Sequence, residues 1–590
     1  MGQFFKFLLA SCLGIFVAFF LLLGISGLVI SQIARQADKA KEIKPNTVLH
    51  LTFDNPIPEQ TNNLELDPFD LKNRKIMGLQ EMLNTLERAK NDDNIKGIFL
   101  EADGLASGGL ATSAVVRDAL LDFKAGGKFI IAYSKYYSQG AYYLASSADQ
   151  IMVNPLGMVD FRGFAAQMPF FKDMLDKVGV NMQVYYAGKF KGASEPYRLN
   201  KMSDENRMQI REYIDDIYDN FLQDISASRN LSTDRLNQLA IDYTGMDPDA
   251  SAEAGLVDKV AHREDALEEL RTRLGLEENE KIPMASLEEY NQSNPGSKNY
   301  RAKNKIAVVF AEGTIVDGKG SPGSIGDEKY TEYIQQIRRD DNIKAIVLRV
   351  NSPGGSAMAS ENIWKELSLA KSEGKQIVVS MGDYAASGGY YISAMADSIF
   401  AEPNTLTGSI GVVLAIPDAS ELLDDKAGIH FDSVKTGPYA TGITPFYPLS
   451  SGESRLLQKR TDDMYETFLS RVSEGRKMSR DSVNAIAQGR VWTGERALAI
   501  GLADRIGGLE DAIASAAAMA ELDEYRLTEY PRVKDPIQQL FEQWFGEENV
   551  RANAILKSEL GEYYPYLRFV QELKDSRGMQ ARLPLWIPFN

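Results

Sequence analysis

Short β-branched runs alternate with helical stretches along most of the chain, and they do so twice. VLHLTF at 48–53, GIFLEA at 97–102, FIIAY at 129–133 and IMVNP at 151–155 read as strands, with helical stretches near 78–91 and 111–124. IAVVFA at 306–311, AIVLRV at 345–350, IVVSM at 377–381 and IFAEP at 399–403 repeat that order, with helices near 328–339 and 358–373. Apolar strands separated by helices predict a parallel sheet joined by helical crossovers. A longer helix follows in each half. Ile210, Ile214, Ile217 and Phe221 recur at helical spacing, as do Leu457, Met464, Phe468 and Val472.

The two halves are copies. DDIYDNFL at 215–222 matches DDMYETFL at 462–469, an offset of 247 (462 − 215). AYYLASSAD at 141–149 meets GYYISAMAD at 389–397 at an offset of 248, and GLVD at 255–258 meets GLAD at 501–504 at 246. Such agreement predicts a duplicated α/β domain. The expected layout is a membrane anchor with its juxtamembrane segment over 1–45, a first repeat over 46–275, a polar linker over 276–304 and a second repeat over 305–520. Residues 521–590, rich in aromatics, fall outside the repeat and read as a C-terminal cap, or else as an oligomer or membrane contact.

Composition narrows the chemistry by exclusion. With 44% hydrophobic and 25% charged residues the 590-residue chain is globular, not disordered or polytopic. A net charge of −17 argues against a nucleic-acid surface. One cysteine permits no intrachain disulfide, and the three histidines, His50, His262 and His430, form no HExxH motif. Phe7 to Ile30 carries no charge and is long enough to cross a hydrocarbon core of about 30 Å, which predicts a retained anchor, with a cleaved signal sequence as the alternative. Sidedness stays open, because Lys6 precedes the span while Arg35, Lys39, Lys41 and Lys44 follow it.

The second copy carries two Gly-rich turns at successive strand ends. NSPGGS at 351–356 follows AIVLRV, and AASGGYY at 385–391 follows IVVSM. Glycines there turn the chain tightly and leave amides unshielded, and a serine between strand and helix meets the electrostatic needs of an acyl-transfer nucleophile. Scarce histidine points to lysine as its base, provided burial lowers the pKa by about 2–3 units. The repeat narrows the choice. Gln139 stands in the first copy where Ser387 stands in the second, and Lys191 of GKFKGASEP stands near Ala440 of GPYATGITP. Each copy lacks what the other has.

Together, the anchor, the duplication and the motifs NSPGGS, MGDYAASGGYYIS, NTLTGSIGV, KFKGASEPY and GRVWTGERAL resemble the bacterial signal peptide peptidase A family in its long, duplicated form. The resemblance covers about residues 1–520. It implies tandem ClpP/crotonase-like α/β domains, an inner-membrane anchor with the protease domain periplasmic, and a homotetramer. It implies a cofactor-free serine endopeptidase that degrades remnant signal peptides. Residue by residue it places the nucleophile at Ser387, the general base at Lys191 rather than the nearby Lys189, and a supporting hydrogen bond to the lysine at Ser409. Oxyanion amides would come from Gly388 and from Gly354 or Gly355, without deciding between those two. Two other classes compete: a crotonase-like acyl-thioester enzyme, and a non-catalytic membrane scaffold. Neither accounts for the complementary Ser387 and Lys191.

Overall fold

The computed structural model describes residues 42–63, 76–102, 109–296, 301–532 and 579–582. The apolar stretch 7–30 lies outside them; among the described residues no helix is long and apolar enough to cross a membrane.

Each repeat builds its own sheet. In the first, six parallel strands run in the order Lys259–Val260, Gln150–Val159, Phe129–Tyr137, Ile95–Glu101, Thr47–Leu51 and Met284–Ser286. In the second, the order is Val491–Thr493, Leu406–Gly408, Gln376–Ala386, Ile343–Ser352, Lys305–Glu312 and Arg526–Tyr530. Ser398–Ala401 also pairs with Gln376–Ala386, and Arg505–Ile506 pairs with it in turn. Among the described residues of this sheet, only the Val491–Thr493 pairing is antiparallel.

Helical crossovers supply the cover. Leu79–Lys90 buries Leu79, Met82, Leu86 and Ala89, and Asp327–Arg339 buries Tyr330, Ile334 and Ile337, spacings that return each apolar face to the core. Each fully buried side chain of this kind contributes roughly 1.5–3 kcal/mol. The long helices Asp204–Arg229 and Ser451–Arg476 occupy matching positions in the two copies.

Two expected boundaries move. Residues 276–304 are not linker throughout: Met284–Ser286 closes the first sheet and Leu287–Ser293 packs behind it, started by a Ser286/Glu289 capping box. Three strand residues are too few to show a period, although the S-x-x-E spacing is a readable signal. Likewise Arg526–Tyr530, inside the expected 521–590 extension, forms the matching edge of the second sheet beside Lys305–Glu312. Its half-exposed, charge-interrupted pattern hides it.

A third, mixed sheet joins the repeats. Its order is Ser324–Gly326, Thr314–Val316, Gly354–Ser356, Gln580–Arg582, Val412–Asp418 and Asn181–Ala187. The last pair is antiparallel and crosses from one repeat to the other, from Val412 opposite Ala187 to Asp418 opposite Asn181. Buried polar contacts reinforce that seam. Glu59 of the first repeat pairs with Arg349 of the second at 2.8 Å, both side chains 3% exposed. Asp383 of the second accepts from Gly109 N at 2.9 Å, Thr112 N at 2.8 Å and Thr112 Oγ1 at 2.7 Å. It thereby caps the first repeat's helix Leu110–Ala125, whose own N-cap residue is glycine.

Candidate active site

The strand Gln376–Ala386 ends in Ser387, which has φ 55° and ψ −114° and begins the six-residue helix Gly388–Ser393. A positive φ on serine costs of order 1–3 kcal/mol and persists only where neighbours enforce it. Here Ser387 N donates to Gly408 O at 2.8 Å, and Tyr391 N donates to Ser387 O at 2.8 Å. The helix start also abuts the 351–356 turn so closely that a Cβ on Gly389 would lie 2.7 Å from Ser352 O. The serine is fully buried.

Lys191 arrives from the other repeat. The strand Asn181–Ala187 delivers it into a loop floored by the second repeat: Phe190 N donates to Gln488 O at 2.8 Å, and a Cβ on Gly489 would come within 2.7 Å of Lys191 Cβ. Only glycine fits at 489, where φ is +77°. Lys191 is 1% exposed, with Nζ 2.8 Å from Ser387 Oγ, 3.0 Å from Ser409 O and 3.0 Å from Ser409 Oγ. Burial drives its pKa from 10.5 down to about 7. Ser409 follows the strand Leu406–Gly408, and its own N–H donates to Arg490 O at 2.7 Å.

Ser387, Lys191 and Ser409 therefore meet at one point. Lys189 does not join them; it is exposed, its Nζ 5.0 Å from the Phe190 ring centre. Among the glycines expected near an oxyanion, Gly388 directly follows Ser387, and Gly354 and Gly355 lie on the strand Gly354–Ser356. The Gly354 amide donates to Ser352 Oγ at 3.2 Å, and a side chain on Gly355 would strike Ile315 O at 1.9 Å. In the first repeat, Gln139 spends its Oε1 on Gly163 N at 3.0 Å and Arg162 N at 3.3 Å, while Ala440 of the second lies in an exposed, irregular stretch.

One further residue matters and gave no sequence signal. Gln209, 1% exposed, donates to Phe190 O at 2.9 Å and to Asn206 Oδ1 at 2.8 Å, and accepts from Val491 N at 3.1 Å. It ties the lysine loop to the strand paired with Leu406–Gly408. In the sequence it is one more polar residue beside a helix's apolar stripe.

The arrangement, a buried amine against the hydroxyl of a serine held at positive φ, suits proton abstraction from that hydroxyl and attack on an acyl group. Comparison with known proteins points the same way. The sequence profile of Peptidase family S49 matches residues 122–277 and again 369–523. "Protease 4" of Haemophilus influenzae is 34% identical over 86% of this chain and 80% of its own. "Protease 4" of Salmonella typhi is 38% identical over 78% and 75%, and "Serine protease SPPA, chloroplastic" of Arabidopsis thaliana 31% over 92% and 78%. A solved ClpP1 variant from Listeria monocytogenes aligns at 17% identity over 35% of this chain and 94% of its own, with a TM-score of 0.24. Matched by its family in both copies and over most of its length by these relatives, the chain belongs to peptidase family S49 and is a serine peptidase.

Proposed function

We propose that Ser387 is the nucleophile and Lys191 its general base, in an endopeptidase that degrades remnant signal peptides. The observation that carries this is the 2.8 Å separation of Lys191 Nζ from Ser387 Oγ, both buried and supplied by different repeats. A neutral amine has two N–H groups and one lone pair. Donation to Ser409 O and Oγ uses both N–H groups, which leaves the lone pair for the Ser387 hydroxyl proton.

As Oγ attacks a peptide carbonyl, Lys191 takes that proton. Backbone amides of Gly388 and the Gly354/Gly355 strand hold the oxyanion, with Gly355 preferred because the Gly354 amide already serves Ser352. The lysinium returns the proton to the leaving amine, and water, deprotonated by Lys191, then releases the acyl group. No cofactor enters this sequence of steps.

Membrane anchoring through residues 7–30, with the catalytic body periplasmic, would bring apolar signal-peptide remnants to the site by diffusion in the bilayer. The repeat also suggests how copies assemble. Within the chain, Asn181–Ala187 pairs with Val412–Asp418. The counterparts, near 428–435 and 164–170 (Pro417 matches Pro169 at an offset of 248), form no strand here. The first of these exposes Ile429, Phe431 and Val434. Pairing 428–435 of one copy with 164–170 of the next would extend the same contact head to tail into a closed ring, in keeping with a tetramer.

The test of the dyad is fluorophosphonate labelling with peptide hydrolysis. Wild type is labelled at Ser387; Ser387→Ala and Lys191→Arg lose at least ~10³-fold in turnover, since guanidinium stays protonated. Near-wild-type turnover in purified Ser387→Ala defeats the assignment.

A further inference from the structure

The strands Gly354–Ser356 and Val412–Asp418 lie in one sheet beside Ser387, yet they do not pair with each other. One strand's width separates them, and Gln580–Arg582 fills it. This segment runs antiparallel to both neighbours. Gly354 faces Arg582, Gly355 faces Ala581, Ser356 faces Gln580, and on the other side Val413 faces Gln580. Ala357 N donates to Met579 O at 3.2 Å, and Met579 packs on the apolar cluster of Tyr185, Leu414 and Ile416, which belong to different repeats. The helix that Ser387 begins also touches the inserted strand.

Val412–Asp418 lies within the second matched region and Gly354–Ser356 between the two, while the inserted segment comes from beyond both. Take it away and two open sheet edges face each other, their backbone donors and acceptors aimed into one gap. Such a gap recognises extended polypeptide by its main chain. Gly354 and Gly355 present no side chain across it, which leaves room for those of whatever strand lies there.

We propose that this gap is the peptide-binding slot of the peptidase, and that residues 579–582 are an intramolecular occupant competing with substrate. The inference rests on the Ser387–Lys191 reading, because it identifies the slot by its neighbourhood to that pair. A tethered strand acts at millimolar effective concentration, enough to raise the apparent KM of a weakly bound peptide without touching the chemical step.

The experiment uses the full chain with Ala581→Pro and, separately, Gln580→Pro, each removing a backbone N–H from the inserted strand. Hydrolysis of a short, internally quenched apolar peptide is measured, with Ser387 labelling by fluorophosphonate counting active sites. Expected is a fall in KM of about tenfold at unchanged kcat per labelled site. A synthetic peptide of residues 577–584 should then inhibit Ala581→Pro competitively and wild type more weakly. Equal KM in wild type and both variants, with no inhibition by the peptide, overturns the occupant while leaving the peptidase assignment intact. Failure of Ser387 to label in any form overturns the assignment and the occupant with it.

Discussion

A lysine amine wedged between two serines is useful as a base only without its proton, and at Lys191 burial alone brings the pKa down to about 7. The sign is direct: below that value the amine is protonated and cannot accept from Ser387, above it the lone pair is free. The kcat/KM profile should therefore rise through about pH 7 and be flat by the 10.5 of an ordinary lysine. A rise centred near 10 would show an unburied base. Gln209 should set how well that burial holds. Gln209→Leu strands the Phe190 carbonyl and the Val491 amide and loosens the lysine loop. Expected is a loss of about 10- to 100-fold in kcat with little change in KM, and an alkaline shift of the pH limb as water reaches Lys191. A lower melting temperature with an unmoved limb would mark Gln209 as structural only. That Ser387 and Lys191 come together was legible because duplication set each opposite a copy lacking it, and the motif resemblance then singled out Lys191 over Lys189. Gln209 was not, since its partners come from two distant segments that no spacing connects.

Among the elements, the central strands announced themselves as continuous apolar runs because helices cover both their faces. The edge strands Met284–Ser286 and Arg526–Tyr530 escaped for the opposite reason: they are short or half-exposed, and their pairing is decided by the sheet beside them. The crossing pair Asn181–Ala187 and Val412–Asp418 lies deeper still, since a strand's own sequence does not name its partner. The same limit hid Asp383, which sits within the motif that carries the serine but caps a helix of the other repeat. Asp383→Ala should cost about 1–2 kcal/mol, a typical capping loss, and lower the thermal midpoint. Asp383→Asn, which keeps an acceptor oxygen, should recover part of it. Equal midpoints for wild type and Asp383→Ala would remove the cap from the account of the seam.

At the scale of the whole molecule, the exposed stretch around 428–435 is where the head-to-tail assembly stands or falls. Val434 is fully exposed and Phe431 is 41% exposed, so charge there should leave each chain folded. Phe431→Asp with Val434→Asp is expected to reduce the mass seen by light scattering to that of a single chain, with Ser387 still labelled. An unchanged mass would place the contact elsewhere. The division of the dyad between repeats has a consequence in time as well as in space. Lysine and serine lie 196 residues apart (387 − 191). A ribosome adding about 5–20 residues per second delivers them roughly 10–40 s apart. Until the second repeat has emerged and docked against the first, no hydroxyl stands near the amine. On the proposed Ser387–Lys191 assignment, a nascent, stalled or truncated chain lacking the second repeat is expected to be inactive, so that synthesis itself delays the peptidase until the chain is whole.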